Sequence, residues 1–508
     1  MGWHWKNMNN EFDELTKGMA QSVTRRAAWK KFGLGLAGMA LAGFLWMPAE
    51  VSAATLGSLI ELSRPNAVGT CDNHFISLPG TWTLDDALEP VVVVNPVNPK
   101  NIVAAWIQGL FQNIVAAVSF DGGRTWQQVP IPLTTCSGGS FPGSGDPWLS
   151  FAPNGELHAV ALVANTLDNR YVGATKSTDG GLHWTAPFLV SDISTDPVPD
   201  HPSVTADPLD ARFAYAIWDT SAGGNGSPSG AFSRTTDGGQ TWEPPRVLAR
   251  LQPQQTVQFS QIFVLPDGTL VNLFETIDGQ SVKKPNHLRL MRSADRGLSW
   301  SAPISVLATS PVYTKDGSVL VIDPETGQFV GDALNPSFAM DRRNGNLYAV
   351  WEDGRFSDSQ YHDIAFSMSA DGGLTWSSPI RVNQTPLNFP VLNRQSFLPI
   401  VAVADDGTIG VSHYDFRFND QSAGLPTDCW LLRCQPSSTR PATDPANWGN
   451  EVRLTDTSFN LEACGTIGAN FRPGEYFGLA NVGSDFVSAR TQVDQDNVTA
   501  IFFRRISK

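Results

Sequence analysis

Seven times along the chain a polar residue, usually beside a proline, opens an apolar run, and a second apolar run follows soon after. The openings are Glu89-Pro90, Asp146-Pro147, Asp200-His201-Pro202, Ser260-Gln261, Asn335-Pro336, Gln395-Ser396 and Glu475-Tyr476. The second runs are 102–107, 157–163, 213–218, 269–274, 346–351, 408–414 and 485–490. Short apolar runs bounded by turn residues read as β-strands. Successive openings stand about 54 to about 80 residues apart, and a repeat of that size built from four short strands marks a propeller blade. The predicted fold is therefore all-β, a β-propeller of four-stranded blades, with seven blades favoured and six as the alternative. The last unit offers only three strands, 475–480, 485–490 and 498–505. Because an unpaired edge invites aggregation, Leu56 to Ser63 is expected to supply the missing strand.

Between the openings an eight-residue phrase recurs: SFDGGRTW at 119–126, STDGGLHW at 177–184, TTDGGQTW at 235–242, SADRGLSW at 293–300 and SADGGLTW at 369–376. Asp at the third position accepts hydrogen bonds from its own turn, Gly permits positive φ, and Trp at the eighth is suited to stapling layers together. The segment around Trp448 reads as a decayed sixth copy. Insertions are expected near 301–334, where a hairpin flanks Pro324 to Gly327, and near 418–446, which reads as a loop.

Composition narrows the function. The net charge is −14, and residues 1–53 carry six Lys/Arg against four Asp/Glu, so the remaining chain carries −16. An acidic body argues against nucleic acid, whose affinity comes from phosphate neutralisation. At the N-terminus, Thr24-Arg25-Arg26 precedes a weakly apolar stretch from Phe32 to Met47 and a small-residue site at Val51-Ser52-Ala53. This resembles a twin-arginine export signal over 1–53, with Met8 as an alternative start. The reading is an exported, periplasmic or extracellular protein with no membrane span after cleavage, and with 54–508 as a single propeller domain. Disulfides are permitted there. Among the five cysteines, Cys429 with Cys434 is the first expected bridge and Cys71 with Cys136 the second.

The phrase resembles the Asp-box, or bacterial neuraminidase repeat, of the sialidase superfamily, and the resemblance spans most of the chain after the leader. It implies a structural role for the phrase itself. Since the phrase joins third and fourth strands on one face, the openings and the ends of the second strands gather on the other, where residues of every blade converge. That face offers Trp106, Trp218, Trp351, Asp219, Glu352, Asp353, Arg355, Asp415, Arg417 and Arg490 from strand ends, and Asp146, Asp200, His201, Glu475 and Tyr476 from openings. Asp353/Arg355 and Asp415/Arg417 repeat one Asp-x-Arg motif in successive blades. Either the arginines grip a ligand carboxylate, or each Asp pairs with its own Arg.

Catalytic sialidases use an arginine triad, a Tyr nucleophile assisted by Glu, and an Asp acid/base. The resemblance implies Arg355, Arg417 and Arg490 as the triad, Tyr476 as nucleophile, Glu475 as its helper and Asp353 or Asp415 as proton donor. Asp200, His201 and Trp351 would join them in binding substrate. The family's Phe/Tyr-Arg-Ile-Pro segment has no counterpart here, and catalytic members have six blades. Three functions therefore stand: a sialidase-like glycoside hydrolase, a non-catalytic propeller binding a glycan or protein through rim tryptophans, or an assembly factor that scaffolds other proteins. Carbohydrate is the expected partner in the first. No cofactor is called for; rim carboxylates leave a structural calcium open, but no linear calcium loop is present.

Overall fold

The computed structural model describes residues 54–508 except 64, 66, 73–79, 168, 192–197, 221–229, 249–254, 279–285, 314–320, 332–334, 421 and 468–469; the expected leader lies outside the described residues. The recurrent phrase builds five near-identical turns. In the first, Ser119 Oγ donates to Asp121 Oδ1 (2.9 Å), and the same oxygen accepts the backbone N–H groups of Arg124 (2.9 Å) and Thr125 (3.0 Å). Gly123 N–H donates back to Ser119 Oγ (2.9 Å). Asp179, Asp237, Asp295 and Asp371 organise the same core of bonds. Gly123 must be glycine twice over: its φ is +90°, and a Cβ there would lie 2.6 Å from the Phe503 ring.

These turns also fasten neighbouring blades. The carbonyl at the fourth position accepts from the preceding blade: Asn101 Nδ2 to Gly180 O (3.1 Å), Lys176 Nζ to Gly238 O (2.8 Å), Arg234 Nη1 to Arg296 O (2.6 Å) and Arg292 Nη1 to Gly372 O. Lys176, Arg234 and Arg292 each stand just before their own blade's phrase. The tryptophans point the same way. Trp126 packs on Phe503 (4.7 Å between centroids), Trp300 on Phe232 (5.4 Å) and Trp448 on Phe366 (4.8 Å). Arg234→Ala, which also breaks a 2.9 Å bond to Glu243, should cost about 1–3 kcal/mol in denaturant unfolding. An unchanged midpoint would mean the latch contributes nothing.

The first blade runs Ala87–Val94, Ile102–Gln108, Asn113–Ser119 and Gln127–Pro130 from axis to rim, and five further sheets repeat that order. The seventh is composite. Gly478–Val482, Asp485–Val493 and Thr499–Ser507 receive their outer edge from Thr55–Leu56 and Ile60–Glu61, in the registers Thr55↔Ser507 and Ile60↔Phe503. Seven four-stranded blades thus form a ring, and each innermost strand neighbours the next all the way round. The strand expected from Leu56 to Ser63 lies where ring closure requires it.

Local expectations fared unevenly. The segment 418–446 is not simply a loop, because Pro426–Cys434 forms the third strand of the sixth blade. Cys429 and Cys434 lie on that strand, both buried and free. Five residues of strand separate their Cα atoms by about 16 Å, far beyond disulfide reach. The bridge present is Cys71–Cys136. Near 301–334, Val330 N–H donates to Val321 O and Asp323 N–H to Gln328 O (both 2.9 Å), closing a turn around Pro324 to Gly327.

Candidate active site at the channel mouth

Each innermost strand starts on the face opposite the recurrent turns. In five blades it slips against the second strand through a bulge. The bulged residue is left-handed each time: Glu89 (φ 56°), Asp146 (49°), His201 (44°), Phe259 (56°) and Leu398 (47°). For a residue with a Cβ this costs about 1–2 kcal/mol, so the conformation is imposed by the surrounding sheet. All five line the axial channel, of about 770 Å³, or the cavity of about 140 Å³ at its mouth. Three of them are titratable and come from consecutive blades.

The smaller cavity is lined by Glu89, Asp146, Asp200, His201, Glu475, Arg170 and Arg472 against apolar walls that include Trp82 and Phe111. His201 and Glu475 line both spaces and partition them. His201 Nε2 donates to the Glu475 carboxylate, its backbone N–H donates to Asp146 Oδ2 (3.3 Å), and Nδ1 lies 3.8 Å from Asp219 Oδ2. The imidazole packs against the Phe259 ring, 4.4 Å between centroids and tilted by 38°. Arg170 Nη1 reaches Asp200 at 3.1 Å, and Arg472 Nη1 lies 3.9 Å from Glu475. Asn335 Nδ2 donates to Glu475 O (2.6 Å), and Glu475 N–H to Glu89 Oε1 (3.4 Å). One ligand atom from each of Asp146, Asp200 and His201 falls within 4.8 Å of the others.

Crowding sorts these acids into different states. Burial pushes the Asp146 carboxyl up to about 7, with His201 pulling against it. Asp219 is likewise raised by burial to about 7, and burial with Asp146 and Glu475 nearby lifts Glu89 well above the usual range. Glu475 goes the other way: burial alone would raise it, but His201 holds it ionised. The imidazole is desolvated as well, yet Glu475 and Asp200 keep it charged well above its ordinary value. His201 is thereby a third cation at the site, beside Arg170 and Arg472. A metal in its place would have to displace a proton from the imidazolium.

Of the residues expected on this face, the structure gathers Asp146, Asp200, His201 and Glu475 in the cavity, with Asp219 beside His201 and Tyr476 on the channel side. It disperses the rest. Asp353 is fully buried and accepts from Arg355 Nε (2.8 Å) and Trp351 Nε1 (2.6 Å). Asp415 is fully buried and accepts from Arg417 Nε (2.7 Å), while Arg417 also reaches Glu451 (2.6 Å). Arg490 is fully buried and donates to the Leu454 carbonyl. None of the three arginines lines the channel or the cavity, so each Asp-x-Arg motif takes its ion-pair form. Tyr476 hydroxyl donates to Pro147 O (3.4 Å), while the neighbouring Glu475 is turned to His201. Burial and the surrounding carboxylates push the Tyr476 phenol well above its ordinary value. Trp106, Trp218 and Trp351, expected on the rim, are 0 %, 0 % and 2 % exposed.

Sequence reasoning missed Trp82, which precedes the first blade, Phe111, in the turn between that blade's second and third strands, Arg170, near the start of the third strand of the second blade, and Arg472, just before the opening of the seventh. Glu89 and Asp146 had a signal, the acid-Pro pair shared by successive openings. No family model and no curated protein matches the chain. Solved structures similar to it include a Hadza microbial sialidase, 16% identical, covering 80% of this chain and 76% of that one with a TM-score of 0.44. An α-L-arabinofuranosidase from Fusarium graminearum is 11% identical, covering 89% and 98%, TM-score 0.46. A protein of unknown function from Dyadobacter fermentans is 15% identical, covering 90% and 100%, TM-score 0.45. Likeness at this level carries no argument about activity, which rests on the site itself.

Proposed function

We propose that the chain is a glycoside hydrolase working at the channel mouth, with Asp146 as proton donor and Asp200 as the attacking carboxylate. One observation carries this reading: two carboxylates within 4.8 Å in one cavity, held in unlike surroundings. Asp146 is 6 % exposed and keeps its proton up to about 7; the Asp200 side chain is 35 % exposed and paired with Arg170. Pairs set apart in this way divide acid from base or nucleophile, and carboxylates with atoms this close suit double displacement, which needs about 5 Å, and not the wider spacing that leaves room for a water. Asp146 would protonate the glycosidic oxygen as Asp200 attacks the anomeric carbon and the alcohol leaves. Asp146, now ionised, would then take a proton from the water that hydrolyses the glycosyl ester. Trp82 and Phe111 supply apolar faces for the sugar, and His201 steadies Asp146 and Glu475.

The finer reading, an exo-acting sialidase, fits this site less well than an uncharged glycone does. Both guanidiniums in the cavity already face a carboxylate, and the three rim arginines lie elsewhere. A panel of chromogenic glycosides tests both levels. Release from neutral sugars is expected; release from sialosides or uronides alone would overturn the uncharged glycone, and no release at all would overturn the hydrolase. The non-catalytic alternative loses its rim tryptophans, which are buried. We also infer action outside the cytoplasm, supported by the leader pattern and by the Cys71–Cys136 bridge.

A further inference from the structure

A second concentration of charge lies outside the channel and its mouth, between the sixth and seventh blades. Ser488 and Arg490 point to the same face of their strand, and Arg504 stands opposite Ser488 in the paired strand. Arg490 is 0 % exposed and Arg504 4 %. Both guanidiniums donate to one carbonyl, Leu454 O, from Arg490 Nη2 and from Arg504 Nη1 (2.8 Å). Asp456 pairs with Arg504 alone and is itself 63 % exposed. Arg490 Nε and Nη1, Arg504 Nε and the Ser488 hydroxyl are buried with no hydrogen-bond partner among the described residues.

The other ionisable neighbours supply no negative charge. Burial raises the Cys429 thiol to about 11, and the Tyr414 phenol donates its proton to Thr491 O (2.8 Å) and is raised well above its ordinary value by burial. Arginine does not give up its proton in proteins. Two buried cations therefore lie side by side with a single solvent-facing carboxylate that pairs with only one of them, and an uncompensated buried charge is strongly destabilising.

We propose that this interblade face binds a small monovalent anion, of the halide class, between Arg490 and Arg504. The anion would accept from the guanidinium N–H groups and the Ser488 hydroxyl, and would fasten the closing blade to its neighbour. It is independent of the hydrolase reading. Crystals of the full chain grown in bromide should show an anomalous peak between the two guanidiniums. In solution, replacing gluconate by chloride at constant ionic strength should raise Tm by about 2 °C or more, and Arg490→Met should abolish that dependence. Equal Tm in both salts together with no bromide peak would overturn the proposal. Should the variant fail to fold, the two wild-type measurements still decide.

Discussion

Replacing Asp146 by asparagine should lower kcat/KM for glycosides with poor leaving groups by about 10²–10⁴-fold and leave the fold intact. Substrates whose leaving group needs no proton should lose far less, which separates a proton donor from a residue that merely shapes the cavity. The pH profile adds a second readout. The donor must be protonated, so activity should fall as pH rises through about 7, the value to which burial lifts this carboxyl. Stability follows with a definite sign. An unfolded aspartate releases its proton near pH 4, whereas native Asp146 holds it to about 7. The native state thus binds more protons across that window and loses stability as pH rises through it. Asp146→Asn should accordingly be near neutral at pH 4 and stabilising at pH 8. Undiminished turnover in the variant would remove Asp146 from the chemistry.

Asp415→Ala should be among the most damaging single changes away from the site, at about 3–5 kcal/mol. Its carboxylate accepts from Arg417 Nε (2.7 Å), Thr385 Oγ1 (2.8 Å) and Trp430 Nε1 (3.0 Å), all under cover. Arg417 also lies over the Trp430 ring at 3.6 Å. Truncation leaves the guanidinium with Glu451 as its one carboxylate partner and strands two further donors. Urea unfolding measures the loss, with asparagine in place of alanine recovering part of it. If the alanine variant kept its unfolding midpoint and lost turnover instead, the ion pair would belong to catalysis.

These two residues show what a sequence with internal repeats makes visible. The turns, the blade period and the closing strand at Leu56 to Ser63 were legible because each reflects local chemistry or a topological need. Equivalence between blades, however, is a property of the scaffold. Asp353/Arg355 and Asp415/Arg417 drew attention by recurring, and they recur as buried pairs. The charged cavity has the opposite character. It draws a different residue from each position, acid in two blades, histidine in the third, and phenylalanine or leucine at the corresponding bulges further round. Arg170 meets Asp200 only because the second and third blades adjoin, and Trp82 precedes the first blade altogether. Nothing about spacing announces either. The left-handed bulge that aims Asp146 inward is likewise silent, since proline after a residue does not specify that conformation.

The seam that joins Thr55–Leu56 and Ile60–Glu61 to Thr499–Ser507 sets a condition on biogenesis. Six blades are complete hairpin stacks that can form one after another as the chain is made. The last needs Thr55–Leu56 and Ile60–Glu61 together with Thr499–Ser507, so the toroid stays an open crescent until both have been made. A premature stop that removes the final strand would leave both crescent tips exposed, and such a chain should be degraded or aggregate instead of persisting as a slightly shortened protein.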